Sequence, residues 1–179
     1  MQYGAVSCNV YIFTQKFFVT EIMEKLLGEY DCKIDGKGRL MFPAALKRKL
    51  PESSGYRFVL NRGFEPCLTL YPIESWEKIV QDISSLNLYI KKNRDFLRYF
   101  YRGATEVEMD ATNRILIPRR LFEYAKIEKD VIVFAYVDRI EVWNREIYEK
   151  LLTDAPGDFS DLAELTMGNH PSKPQDDVP

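Results

Sequence analysis

The chain has 179 residues, of which 46% are hydrophobic and 29% charged, and its formal net charge is −2. This composition is ordinary for a globular protein, and no window holds the roughly 18 uninterrupted apolar residues that a membrane helix needs. Three unevenly spaced cysteines and a single histidine argue against a disulfide framework, a C-x-x-C metal site and the common zinc sites. They suit a reducing cytosol, so we expect a cytoplasmic protein.

Residues 1–22 are predicted to be an atypical N-terminal extension. Their apolar runs are interrupted by Gln15 and Lys16, and neither a basic start nor a small-residue cleavage site completes a signal peptide. One interpretation is an extra packed strand or helix. The favoured interpretation is a misassigned start, with translation beginning at Met23, and the intact mass of the natively expressed protein would distinguish the two.

Residues 23–86 are predicted to form a first structural unit. A tight turn is expected at Asp35, Gly36 and Gly38, where glycine supplies left-handed backbone conformations. Pro43 favours the first turn of a short helix. In chain order, the predicted elements are strands at 28–34 and 39–42, a helix at 44–50, strands at 56–62 and 67–71, and a helix at 76–86.

Residues 87–103 are predicted to form a linking helix, and residues 104–152 a second unit that retraces the first. In the linking helix, cations share one side and apolar residues another, which predicts one cationic and one packed face. The predicted packed residues are Tyr89, Ile90, Phe96, Leu97 and Phe100. The second unit is expected to contain strands at 105–110 and 114–117, a helix at 118–125, strands at 131–137 and 139–143, and a helix at 144–152.

Residues 153–179 are predicted to be an acidic, largely disordered tail. They hold six acidic residues, one lysine and four of the nine prolines. Without this tail the chain has 24 basic and 21 acidic residues, a net charge of +3. The body of the protein is therefore mildly basic.

The most informative pattern is an internal repeat, because residues 30–50 reappear in outline at 105–125. Four residues of the first copy have a match 75 positions later: Asp35 and Asp110, Arg39 and Arg114, Pro43 and Pro118, Leu46 and Leu121. This spacing predicts one supersecondary unit that is used twice. Neither copy is large enough to bury a full core alone, so we expect both to pack about a pseudo-twofold axis as one interlocked β-rich body.

Asp35 and Asp110 open the two predicted turns. A carboxylate there can accept backbone N–H groups and pair with the arginine four residues on, so both aspartates, with Gly36 and Gly38, are predicted to shape the turns. One interpretation is that the Asp/Arg pairs only make the hairpins rigid.

The cations at these turns favour a second role. Lys37, Arg39 and Arg114 lie at or beside the loop tips, where long side chains reach outward and pseudosymmetry makes a paired basic surface. Arginine in such a position can contact phosphates or read O6 and N7 of guanine. Cations on the short helices usually form a solvated face, but they are also candidate phosphate contacts: Lys47, Arg48, Arg119 and Arg120.

Taken together, several motifs resemble the bacterial MraZ family of transcriptional regulators. These are the two D-x-x-x-R motifs, the GEY opening, the aligned segments LYPIESWEKI and VWNREIYEKL, and the 75-residue spacing. The resemblance covers roughly Met23 to Leu152. It implies an α+β fold of two fused AbrB-type swapped-hairpin units.

The resemblance also implies a function. Family members form ring-shaped homo-oligomers, of roughly eight or more subunits, that bind double-stranded DNA. Their sites are short G-rich direct repeats in the promoter of the cell-division and cell-wall gene cluster, and binding represses their own operon. No cofactor, metal, membrane or small-molecule ligand is implied, and a cytoplasmic, nucleoid-associated location is expected.

The family's DNA-contacting residues can be assigned position by position. Lys37 and Arg39 match those of the first motif, and Arg114 matches that of the second. Thr112 stands where the first copy has Lys37, so we expect the two loops to contribute unequally. The N-terminal extension and the acidic tail fall outside the usual family pattern.

Two other functions are weighed against a DNA-binding regulator. A ring-forming protein-interaction or antitoxin-like module would co-purify with a protein ligand and show no salt-dependent DNA shift. An enzyme would use Asp35 and Asp110 as an acid/base pair, but the sequence offers no core histidine, phosphate-binding glycine loop or metal cluster. The sequence therefore favours a regulator without enzymatic activity.

Overall fold

The structure is a computed structural model that describes residues 26–52, 55–153 and 159–167. The predicted extension, including the start at Met23, lies outside these residues. The strands of the described chain are β1 (Leu26–Lys33), β2 (Arg39–Met41), β3 (Arg57–Arg62), β4 (Leu68–Pro72), β5 (Thr105–Glu108), β6 (Arg114–Leu116), β7 (Asp130–Val137) and β8 (Arg139–Asn144). The helices are α1 (Ala44–Lys47), α2 (Ile73–Ser84), α3 (Lys91–Phe100), α4 (Arg119–Tyr124), α5 (Arg145–Thr153) and α6 (Phe159–Met167).

The strands form one six-stranded sheet, in the order β1-β7-β8-β4-β3-β5, and a separate two-stranded sheet of β2 and β6. All pairs are antiparallel. β1 of the first copy pairs with β7 of the second, and β5 of the second pairs with β3 of the first. The first strand of each copy thus completes the sheet of the other copy, which confirms the predicted swapped-hairpin α+β fold.

The strand register locates the pseudo-twofold axis. In the six-stranded sheet, Thr69 lies opposite Glu141, its own counterpart 72 positions later in the aligned segments. In the two-stranded sheet, Leu40 lies opposite Ile115, its counterpart 75 positions later. Two paired residues that are repeat equivalents must lie on either side of the axis relating the copies, so the axis passes between the members of both pairs.

The main core is built from equivalent residues of the two copies. Leu40 and Ile115 are each 1% exposed, while Leu46 of α1 and Leu121 of α4 are 0% and 1% exposed. Complete burial of one such side chain contributes about 1.5–3 kcal/mol. Because these side chains share one cluster, each copy's hydrophobic face is covered only when the other copy is in place.

Helix α3 packs less completely than its sequence predicts. The Phe100 ring stacks on Trp76 of α2, with ring centroids 5.6 Å apart. Phe96 is 42% exposed, however, and Tyr89 and Ile90 precede the helix and are 96% and 50% exposed. The predicted packed face is therefore correct at Phe100 and wrong at Tyr89 and Ile90, which precede the helix and whose side chains are exposed.

Helix α6 corrects the prediction of disorder for part of the tail. Residues 159–167 are helical because Phe159, Leu162, Ala163 and Met167 recur at helical spacing, although acids and prolines dominate the surrounding composition. None of the helix's residues is buried. Within the described residues, no helix is both long and apolar enough to cross a membrane.

Candidate nucleic-acid interface

The first loop, residues 35–39, is closed by both backbone and carboxylate hydrogen bonds. The Asp35 N–H donates to the Arg39 carbonyl at 2.9 Å, and the Gly38 N–H donates to the Asp35 carbonyl at 3.0 Å. Oδ1 of Asp35 also accepts the N–H groups of Lys37 (2.8 Å) and Arg39 (3.1 Å). The carboxylate therefore satisfies turn donors that the strands leave unpaired.

The second loop, residues 110–114, repeats this geometry with different side chains. Oδ1 of Asp110 accepts the N–H groups of Thr112 (2.8 Å) and Arg114 (2.9 Å), and it accepts the Thr112 hydroxyl at 2.7 Å. Asn113 has φ 60° in the left-handed region, where Gly38 has φ 77°. Asparagine is among the few residues that adopt this conformation at low cost, so both loops keep one backbone shape.

Gly36 does not have the role predicted for it. Its φ lies outside the left-handed region, and a Cβ atom at this position would meet nothing within 4 Å. The second copy has Ala111 at the equivalent position. The left-handed backbone conformation therefore favours glycine or asparagine at position 38 of this turn and places no such demand on position 36.

Pairing of β2 with β6 brings the two loops side by side. Arg39 binds Oδ2 of Asp35 through Nε and Nη2, both at 2.7 Å, and its Nη1 lies 3.9 Å from Oδ2 of Asp110. Arg114 does the reverse, with Nε 3.1 Å from Asp110 and Nη1 3.7 Å from Asp35. Two arginines and two aspartates from separate copies thus form one ion-pair cluster, which we call the loop cluster.

The loop cluster holds both carboxyl groups in their charged form. The hydrogen bond from Arg39 is the main cause that lowers the pKa of Asp35 to about 2. The hydroxyl of Thr112 is the main cause that lowers the pKa of Asp110. Because a general acid must carry a proton near neutral pH, these shifts weigh against the acid/base enzyme considered above.

The cluster remains open to solvent on one side. The side chains of Arg39 and Arg114 are each 26% exposed. Lys37 is exposed at the tip of the first loop, whereas Thr112 at the equivalent position turns its hydroxyl towards Asp110. The three predicted DNA-contacting cations therefore share one surface, with a lysine at the tip of the first loop and none at the tip of the second.

Helix α1 of the first copy lies beside the second loop, and helix α4 of the second copy lies beside the first loop. Lys47 of α1 donates from Nζ to Oδ1 of Asn113 in the second loop at 2.7 Å, and its Nζ lies 4.6 Å from the centre of the Tyr56 ring. Arg119 and Phe122 of α4 line a groove of about 520 Å³ beside the first loop. Each copy thus places a cationic helix next to the other copy's loop.

The four candidate phosphate contacts differ in whether their charged groups already bind another side chain of the chain. The ammonium of Lys47 is committed to Asn113, and Arg119 is paired with Glu123 at 2.9 Å. Arg48 and Arg120 are exposed, and the described chain shows no hydrogen bond or ion pair from their side chains. We therefore regard Arg48 and Arg120 as the more accessible pair.

Sequence reasoning missed Asn113. The side chain anchors α1 to the second loop, and its backbone takes the left-handed position of the turn. The 75-residue alignment placed it opposite Gly38, and asparagine is the usual alternative to glycine in that conformation. The signal was therefore present in the repeat itself.

Comparison with known proteins shows the family. The model of the family described as "MraZ protein, putative antitoxin-like" matches the chain twice, over residues 26–99 and 100–169. The chain belongs to the MraZ family. Each of the two MraZ copies ends in a helix, since the first match ends within α3 and the second just beyond α6.

Several relatives bear the name Transcriptional regulator MraZ. The protein from Flavobacterium psychrophilum is 47% identical over 148 residues, which cover 82% of this chain and 94% of the relative. The protein from Christiangramia forsetii is 44% identical over 148 residues, covering 82% and 96%. The protein from Cytophaga hutchinsonii is 42% identical over 137 residues, covering 76% and 91%.

Proposed function

We propose that this MraZ protein is a sequence-specific DNA-binding transcriptional regulator that represses its own operon, the cell-division and cell-wall gene cluster. The observation that carries the proposal is the loop cluster, in which strand pairing between the copies presents Arg39 and Arg114 together beside the exposed Lys37. The names of the relatives support the same class of function.

The geometry suits recognition of a DNA groove. Asp35 binds Arg39 through two nitrogens and so fixes the plane of the guanidinium, which reduces the entropy lost when it meets a base. A two-stranded β element can enter the major groove, where a guanidinium can bind O6 and N7 of guanine together. Lys37, Arg48 and Arg120 then contribute phosphate contacts, which strengthen binding without selecting a sequence.

The proposed binding unit is a ring that engages short G-rich direct repeats. A subunit with few free cations binds one repeat weakly, but the second contact made by a ring is intramolecular and therefore strong. Affinity should fall steeply with salt and with removal of each repeat. We place the protein in the cytoplasm, associated with the nucleoid.

Gel shifts on the DNA upstream of the protein's own gene test this proposal. One repeat box is deleted at a time, and a matched duplex with the same length and composition but shuffled boxes serves as the control. We expect binding to weaken with each deletion and to be lost on the shuffled duplex. Equal affinity for the intact and shuffled DNA would contradict sequence-specific recognition.

A second candidate is a ring-forming protein-interaction or antitoxin-like module without direct DNA recognition. It is favoured by the family's description as antitoxin-like and by the exposed aromatic residues around α3. This candidate predicts a stoichiometric protein ligand in the native complex and no salt-dependent DNA shift. The gel-shift series therefore separates the two functions.

A further inference from the structure

A cavity of about 430 Å³ shares no lining residue with either loop. Aromatic side chains line it from four parts of the chain: Phe64 between β3 and β4, Tyr71 in β4, Phe96 and Tyr99 in α3, and Tyr124 at the end of α4. Phe64 is 83% exposed and Tyr99 is 75% exposed. The mouth of the cavity therefore presents a large aromatic surface to solvent, as interaction sites do.

Two arginines lie at this cavity without a neutralising carboxylate. The guanidinium of Arg62 lies 4.5 Å from the centre of the Tyr124 ring, and its Nε is buried without a hydrogen-bond partner. Arg102 is exposed, and neither arginine forms an ion pair within the described chain. A suitable occupant would combine apolar groups for the aromatic lining with acidic groups for the arginines.

Helix α6 has this combination. Phe159, Leu162 and Met167 lie on one side at helical spacing and are 80%, 45% and 70% exposed. The exposed Leu165 widens this apolar side, Asp161 and Glu164 lie on the opposite side, and α6 contains no lysine or arginine. The helix is thus apolar on one side and purely acidic in its charges.

The repeat gives α6 a counterpart in α3, because each helix closes one MraZ copy. α3 is anchored within the chain, since Phe100 stacks on Trp76 and its carbonyl accepts the Asn61 side-chain amide at 2.7 Å. α6 has no buried residue. One chain therefore carries an aromatic, cationic cavity at its first closing helix and an exposed, acidic second closing helix.

We propose that α6 of one copy of this chain docks in the aromatic cavity of a second copy. The apolar side of α6 covers the exposed aromatic rings, and Glu164, three residues before Met167 and therefore near the edge of that side, lies beside Arg102. Charge complementarity selects this occupant, because the α3 segment Lys91–Phe100 carries four cations and one acid while α6 carries two acids and no cation.

This contact is head-to-tail, since the cavity and α6 are different surfaces of the same chain. Each subunit can donate one helix and accept one, and such contacts close into rings when the rotation between subunits allows it. The inference rests on the ring assembly in the proposed function and names its interface. No residue of the loop cluster takes part, so the DNA-contacting surface stays free.

Mixing two exposed-site variants of the full chain tests the inference. Tyr99→Glu alters the cavity and Leu162→Lys alters α6, and neither side chain is buried, so both variants should fold. By light scattering after gel filtration, we expect each variant alone to be monomeric and their mixture to form dimers, because one intact cavity can then meet one intact helix. The exposed Lys129→Glu variant is the control and should assemble as the wild type does.

A charge exchange provides the second arm of the test. Arg102→Glu and Glu164→Arg should each weaken assembly at least tenfold, and the double variant should regain it. Wild-type assembly by the Tyr99→Glu or Leu162→Lys chain would overturn this interface while leaving a ring intact. A mixture that stays monomeric would also overturn it, because an intact helix and an intact cavity on separate chains would then have failed to associate.

A separate measurement of DNA binding tests the proposed function independently of assembly. Binding of a single repeat box by the monomeric variants, measured in parallel, reports on the loop cluster alone. Loss of assembly with retained single-box binding supports both ideas. A wild-type chain that is monomeric at every concentration would contradict the ring and this interface, but not DNA recognition.

Discussion

Exchange of the residues at the two loop tips tests how the copies divide the DNA contacts. Lys37→Thr gives the first loop the tip of the second. The turn should survive, because it is the backbone N–H of residue 37 that Asp35 binds at 2.8 Å, and the Thr112 N–H makes the same bond to Asp110 at 2.8 Å. Threonine already fits this position, so the substitution removes an exposed positive charge and little else.

The size of the effect follows from counterion release. Each phosphate neutralised on duplex DNA contributes about 0.9 to the slope of log affinity against log salt concentration. Loss of Lys37 should therefore lower the slope by about 0.9 for each engaged subunit. At about 0.15 M salt this corresponds to roughly fivefold weaker binding to one box and about 30-fold weaker binding to two.

Fluorescence anisotropy on one-box and two-box duplexes, titrated at several NaCl concentrations, measures both quantities. Thr112→Lys should increase the slope as well. The increase should be smaller, because this substitution also removes the hydrogen bond from the Thr112 hydroxyl to Asp110. Lys78→Thr, on the exposed side of α2, is the charge-matched control. An unchanged slope for Lys37→Thr, or an equal fall for Lys78→Thr, would refute the assignment of Lys37 to DNA.

Three further predictions concern the fold that presents the loops. Leu40→Ala removes a 1% exposed side chain beside the pseudo-twofold axis. Urea denaturation should therefore show that the free energy of unfolding falls by about 2–5 kcal/mol. A fall below about 0.5 kcal/mol, as at an ordinary surface site, would contradict the shared core. Asn113→Val forces a β-branched residue to φ 60°, whereas Asn113→Gly keeps the backbone conformation without strain. The valine variant should therefore lose about 1–3 kcal/mol more free energy of unfolding than the glycine variant. Equal stability of the two variants would show that this conformation is not required. The pKa of Asp35 is about 2 when folded and about 4 when unfolded, so its stabilisation is present above about pH 4 and is lost as pH falls from about 4 to 2. Thermal melts should therefore show a smaller loss of Tm across that range for Asp35→Asn than for the wild type, and identical losses would argue against the ion pair.

The repeat made the fold predictable to the level of its units. Because Asp35 and Asp110 occupy equivalent positions, each strand–turn–strand prediction in one copy was checked by the other. Residue patterns alone do not identify the exchange of β1 and β5 between the two copies, since strand alternation shows which face is buried and not which strand is the partner. The family resemblance supplied that step.

The site was predictable in its residues and less so in its geometry. The proximity of Arg39 to Asp110 depends on the β2–β6 register, which joins residues about 75 positions apart. Gly36 was assigned a turn role from its residue type, while the positive φ values fall at Gly38 and Asn113. The helical spacing of Phe159, Leu162 and Met167 was outweighed by the acidic, proline-containing composition around it.

DNA binding by Arg39→Ala is the most direct test of the central claim, that the paired loops recognise the operator. The substitution removes a guanidinium from the loop cluster and leaves the proposed assembly surfaces unchanged. Light scattering should show the wild-type oligomer mass, and gel shifts on the upstream DNA should show that binding is lost. Wild-type affinity in a correctly assembled Arg39→Ala protein would contradict the claim.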